Sequence, residues 1–159
     1  RGQGSAQWRE WNPDRRLAWH LLDDPAHAAI RQYLQDLNRL YQAEPALHQV
    51  DFDPAGFRWI DCNDIENSVV SLVRYAADRR DCVVMVFNFT PVPRDGYRIG
   101  VPSGGSWREV LNSDATIYGG SGIGNRGGMH AEEVPCRGQP WSLVVTAPPL
   151  GIVLFVLEP

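Results

Sequence analysis

The sequence predicts a mostly β protein: an antiparallel β-sandwich of about eight strands, preceded by an irregular arm and one long α-helix. Three observations predict it. Beyond Pro45, apolar and β-branched runs of period two recur roughly every 8 to 15 residues. Between them lie clusters such as Pro-Arg-Asp-Gly, Pro-Ser-Gly-Gly and Pro-Pro-Leu-Gly, which supply preset or positive φ angles at bends. A single segment, ahead of Pro45, carries a helical period.

The arm comes first. Gln7 to Leu22, QWREWNPDRRLAWHLL, holds Trp8, Trp11 and Trp19 and follows neither the helical nor the strand period. Aromatic faces beside Arg9, Glu10, Asn12 and Asp14 suit the stacking of sugar rings with hydrogen bonds to their hydroxyls, and equally suit the sealing of a domain junction. In the helical segment Ile30, Leu34, Leu37 and Tyr41 fall at i, i+4, i+7 and i+11, one apolar stripe. Asp24 can cap it, Pro25 suits its first turn, and Pro45 ends it by forcing the preceding residue out of the helical region.

The strands follow as residues 57–61, 68–75, 82–90, 97–101, 106–112, 129–136, 141–147 and 151–158. The runs at 82–90 and 151–158 are apolar on nearly every position, so both of their faces are covered and they belong at the centre of the fold. Trp59, Trp107 and Trp141 lie in strands, where core or half-buried packing is the default. Residues 113–128 are too glycine-rich for a strand and form a long crossover loop of the Ω type.

Composition then removes whole classes of function. The 159 residues suffice for one domain with its own core, without disulfide or metal. The formal net charge of -4 speaks against nucleic acid as a partner, and the absence of lysine excludes Schiff-base chemistry. No run is long and apolar enough to span a bilayer and the first residues do not resemble a signal peptide, so no membrane is expected and the location is cytoplasmic. Cys62, Cys82 and Cys136 contain no CxxC and read as small buried hydrophobes. His20, His27, His48 and His130 share no metal-ligand spacing and read as surface or loop residues. The sequon at Asn88 sits in an apolar strand and reads as chance.

The glycine loop also fails the tests for a phosphate cradle or a nucleophile. Gly120, Gly122 and Gly124 are spaced GxGxG with no helix opening after them, and Ile123 stands where a nucleophile elbow at Ser121 needs glycine. Carboxylates are plentiful, at Asp23-Asp24, Asp51/Asp53, Asp61/Asp64 and Glu132-Glu133, but no spacing singles out a glycosidase pair. No catalytic residue, cofactor or metal ligand is therefore assigned.

Several strings together carry a resemblance: QWREWNPDRRLAWHLL, RQYLQDLNRLYQAEPALH, DFDPAGFRWIDCND, NFTPVPRDGYRIGVP, WREVLNSDATIYGGSGIGN and WSLVVTAPPLGIVLF. They resemble the C-terminal part of bacterial 1,4-alpha-glucan (glycogen) branching enzymes, which belong to the alpha-amylase family of (β/α)8-barrel glycosidases. The resemblance implies that residues 1–44 are the close of the catalytic barrel, the loop after strand eight and the last helix. Residues 45–159 would be the alpha-amylase-type all-β C-terminal domain. It further implies that Trp8, Arg9, Glu10, Trp11, Asn12 and Asp14 lie on the barrel rim and contact α-glucan. The family's carboxylate nucleophile, acid/base glutamate and stabilising aspartate sit on earlier barrel strands, so none is carried onto this chain.

This sequence departs from the family at Gln3-Gly4-Ser5-Ala6-Gln7, where Gly-Gly-Glu-Phe-Gly-Gln is usual, and at Pro13 and Ala18, where histidine and aspartate are usual. The implied function is the non-catalytic end of a branching enzyme, supporting the barrel; the alternative is a stand-alone glucan-binding module. The implied partners are α-glucan, and a barrel domain or a second copy packed on the stripe of Ile30, Leu34, Leu37 and Tyr41.

Overall fold

A computed structural model describes residue 6 and residues 18–159. In it the period-two runs pair into β1 (Phe57–Asp64), β2 (Val69–Tyr75), β3 (Cys82–Asn88), β4 (Arg94–Val101), β5 (Ser106–Asn112), β6 (Gly128–His130), β7 (Trp141–Ala147) and β8 (Gly151–Leu157). The larger sheet has the order β1-β2-β3-β8-β5-β6, and β4 pairs with β7 in a second sheet of two strands. Every named pairing is antiparallel.

The central position of β3 and β8 follows from their apolar content. Val84, Val86, Val153 and Phe155 face the smaller sheet and form the sandwich core with Val73, Ile99, Trp107, Leu143 and Val145. The alternate residues Val83, Leu154 and Val156 face the other way, into a second core with Ala46, Leu47, Ala76 and Leu111. A strand between two cores has no solvent face, so alternation vanishes from its sequence.

The second core exists because a helix lies on the outer face of the larger sheet. Helix α1 (Pro25–Ala43) is capped by Asp24, whose side chain accepts from the Ala26 amide at 2.8 Å. It packs through Tyr33, Leu37 and Leu40. This line is rotated from the expected stripe: Leu37 is shared, whereas Ile30 and Tyr41 stay exposed at its margins. The helix therefore folds back on its own sandwich.

Three further expectations need correction. The run 129–136 is not a continuous strand: only its start pairs in the larger sheet, and isolated bridges Glu132↔Ser142 and Cys136↔Gln139 carry the chain past β7. The segment turns a corner between the sheets, where Pro135 has no amide to donate. Of the cysteines only Cys82 is buried, and Cys62 is exposed. His27, in the first turn of α1, is buried rather than superficial. Asn88 is also buried; its amide nitrogen donates to the carbonyls of Val92 and Pro148 and its oxygen accepts from Thr90, so the sequon is structural.

Candidate functional site

The glycine-rich loop is an organising element, built around Asp114. The carboxylate accepts from the Ser121 amide at 3.0 Å, the Ser121 hydroxyl at 2.6 Å and the Ile123 amide at 3.0 Å. Burial alone would raise its pKa, but these hydrogen bonds outweigh that and hold it below the ordinary value. Gly120 is required because a Cβ there would stand 2.2 Å from the Asp114 carbonyl oxygen. Farther on, Asn125 donates to Glu109 and to the Thr146 carbonyl and accepts from the Thr146 amide, tying the loop across to β7.

So fixed, the loop presents Tyr118 to the helix. Its ring meets that of Tyr33 edge-on at 5.1 Å, and its hydroxyl donates to Asp36 at 3.0 Å. Burial first, and then this carboxylate, push the Tyr118 pKa up to about 12. The Gln32 amide is the main cause that holds Asp36 below its ordinary range.

Between helix, loop and sheet lies a groove of about 460 Å³, lined by Ile30, Tyr33, Phe87, Phe89, Leu150 and Ile152 among others. Three polar residues of its wall, Asn88, Ser113 and Tyr118, turn their side-chain bonds inward, to Pro148, to the Ile152 amide and to Asp36. The groove thus offers an apolar ligand far more than a polar one. Leu150 at its rim is 70% exposed and holds a φ of 45°, so it combines an unfavourable backbone with unburied apolar surface.

A second surface stands at the far end of the helix. Trp59 is 50% exposed and Phe57 is 39% exposed, their rings edge-to-face at 4.9 Å. They occupy edge strand β1, with only β2 beside it in the sheet. Arg74, the cross-strand partner of Phe57, pairs with Asp51, and the Tyr41 hydroxyl approaches the same carboxylate at 3.4 Å. Arg74 is the main cause that keeps Asp51 ionised below the usual carboxylate range.

The residues singled out from the sequence for glucan contact, Trp8, Arg9, Glu10, Trp11, Asn12 and Asp14, lie outside the described residues. Of the strand tryptophans, Trp107 is buried in the sandwich core, Trp141 packs against it and Trp59 is half-buried, within the expected range of core or half-buried positions. Sequence reasoning left open which of the two each would take, and the burial of Ile60 explains the place of Trp59: the core side of β1 is already taken. Among the described residues, no group of three or more His, Cys, Asp or Glu side chains could hold a metal ion. No described helix is long and apolar enough to cross a membrane. Among the described residues, the four carboxylates with a resolved shift, Asp36, Asp51, Asp64 and Asp114, are all shifted downward, the opposite of what a general acid at neutral pH needs.

Comparison with known proteins adds a second line. The family model for the alpha amylase C-terminal all-beta domain matches residues 59–158. The 1,4-alpha-glucan branching enzyme GlgB of Cereibacter sphaeroides is 57% identical over 148 residues, 93% of this chain and 20% of that protein. The enzyme of the same name from Paramagnetospirillum magneticum is 51% identical over 99% of the chain and 21% of its own length. That from Aquifex aeolicus is 48% identical over 96% and 24%. The chain therefore spans about a fifth to a quarter of the length of these curated relatives. Among solved structures, a trehalulose synthase mutant in complex with Tris superposes with a TM-score of 0.50 at 18% identity, over 95% of this chain and 22% of that one. This likeness is one of fold.

Proposed function

The chain belongs to the alpha-amylase C-terminal all-β domain family, and from that premise we propose that it serves as the non-catalytic C-terminal portion of a 1,4-alpha-glucan branching enzyme. In this reading residues 1–44 close the catalytic barrel and residues 45–159 form the domain that supports it, in the cytoplasm. The bond-breaking carboxylates belong to the larger body, and glucan is the polymer that the whole acts on. Trp8 and Trp11, with Arg9, Glu10, Asn12 and Asp14, face that glucan from the barrel rim.

The observation that carries the proposal is the groove beside α1. Its polar wall residues are bonded internally, its rim holds an exposed leucine in a left-handed conformation, and its lining is aromatic and aliphatic. Violations of local preference of this kind are expected where another body packs. Covering the surface that Ile30, Phe89 and Leu150 still leave in water stabilises by a fraction of the roughly 1.5–3 kcal/mol that full burial of such a side chain contributes. The experiment is complementation in trans. The Cereibacter sphaeroides enzyme, truncated before its own equivalent of this chain, is co-expressed with the 159-residue protein. Co-purification and α-1,6 branches formed from amylose are expected, and none from the chain alone. The proposal is overturned by branching from the chain alone, or by failure of rescue where the relative's own C-terminal portion succeeds.

A further inference from the structure

We infer that the open end of the sandwich, between β1 and the turn joining β2 to β3, is a binding site for a small phosphate-bearing anion, held by the guanidinium groups of Arg58 and Arg79 and the hydroxyl of Tyr75. It lies apart from the groove beside α1, and the inference stands without the proposed function.

Successive strand residues point to opposite faces, so Arg58 leaves β1 on the side of Ile60, away from Phe57 and Trp59. That side belongs to the sandwich core. Val73, the partner of Arg58 across the ladder, is fully buried there, and Tyr75 follows it on the same face. Tyr75 is thus the diagonal neighbour of Arg58, at a spacing that long side chains bridge. Arg58 is nevertheless exposed, because β1 is the edge of the sheet. A charge pointed inward on an edge strand also discourages pairing with another chain. That role does not call for a second cation brought to the same ring from another element.

Arg79 is that second cation. It sits in the turn after β2 with a φ of 59°, a left-handed conformation that glycine adopts far more readily, and its guanidinium lies over the Tyr75 ring, 4.8 Å from the centroid. One of its nitrogens reaches the Ala55 carbonyl at 3.5 Å, which leaves its other donors free. Among the described residues neither Arg58 nor Arg79 has an ion-pair partner. Two carboxylates nearby are committed: Asp61 pairs with Arg137 at 2.9 Å, and Asp78 accepts from the amides of Arg80 and Asp81. Burial first and the Cys82 thiol second push the Tyr75 hydroxyl up, so it stays a donor, while Arg58 and Arg79 pull the other way.

Two guanidinium forks and a hydroxyl form a set rich in donors. Each planar fork matches two oxygens of a phosphate, and a phosphate ester presents three terminal oxygens to share between the forks and the hydroxyl. A neutral sugar meets donors here without matching acceptors, and a carboxylate fills one fork only.

The test is calorimetric titration of the 159-residue chain with glucose 6-phosphate at low ionic strength, beside inorganic phosphate, glucose and a hexaglutamate peptide. Saturable binding of glucose 6-phosphate is expected, fading as salt is added, with none of glucose. Arg58→Gln and Arg79→Gly should each weaken it about tenfold or more, the loss of a charge-assisted hydrogen bond. Arg108→Gln removes the same charge from β5 and should change it less than about twofold. Glycine accepts the φ of position 79, so that variant stays folded, and melting curves check each one. Independently of any variant, the Arg58 and Arg79 side-chain N–H resonances of the parent should move on adding glucose 6-phosphate. Inorganic phosphate bound as tightly as the ester also supports the site and makes the free ion its ligand. The inference is overturned by absence of saturable binding, by unmoved arginine signals, by undiminished binding in Arg58→Gln or folded Arg79→Gly, or by an equal loss in Arg108→Gln. Tighter binding of hexaglutamate than of glucose 6-phosphate also overturns it, since the surface would then be a face for acidic protein segments.

Discussion

Replacing Asp114 by alanine should loosen the glycine-rich loop and, through Tyr118, the grip of α1 on the sandwich. The carboxylate accepts three hydrogen bonds, two from Ser121 and one from the Ile123 amide. A hydrogen bond to a charged group contributes roughly 1.5–3 kcal/mol when buried, and less where Ser121 is open to water, so the summed loss is about 2–4 kcal/mol. For a chain of this size that lowers the melting temperature by roughly 5–15 °C. Thermal unfolding followed by circular dichroism measures it.

The pH dependence gives the same prediction a second edge. The folded pKa of Asp114 lies below its ordinary value of 3.8, so its contribution is fully present above that value and is lost as pH falls through the folded one. The stability gap between parent and Asp114→Ala is therefore full at pH 7 and narrows as pH falls below the ordinary carboxylate range. A gap below about 1 kcal/mol at pH 7, or one that stays constant to pH 3, would refute the assignment of Asp114 as the hub of the loop.

Leu150→Gly should raise the stability of the isolated chain by about 0.5–1 kcal/mol in denaturant titration, since it relieves a left-handed backbone at a side chain with little packing to lose. The same variant should rescue the truncated branching enzyme less well than the parent, because the groove rim loses its apolar surface. Alkylation at pH 8 should label Cys62 first, Cys136 more slowly and Cys82 only on unfolding, because burial first and Asp81 second push the Cys82 thiol up to about 12; mass-spectrometric peptide mapping reads the order. Trp107→Ala should destabilise by roughly 3–5 kcal/mol, measured in urea, since the side chain is 1% exposed and its indole N–H also serves the Ser103 carbonyl at 3.1 Å.

What the sequence conveyed, and what it withheld, follows from one physical difference. Strand identity is encoded locally: the runs at 106–112 and 141–147 coincide with β5 and β7, and the doubly apolar runs coincide with the two strands held between cores. The face a strand turns outward is set by what lies beside it, and β1 shows the consequence. Phe57, Trp59 and Ile60 are all apolar, so periodicity could not decide which side met the core; position at the sheet edge and the following register shift decided it, in favour of Ile60. The helix stripe failed by the same cause in milder form, since Tyr33 gained its place from a ring, Tyr118, that lies far along the chain. Both candidate surfaces arise at such places. The groove requires α1, the Asp114 loop and the start of β8 to converge, and the aromatic corner requires β2 to set Arg74 beside Phe57. Functional surfaces built from residues distant in sequence leave no local period. An exposed tryptophan on an edge strand could have been suspected from sequence by one sign alone, the isoleucine directly after it, which competes for the core face and takes it.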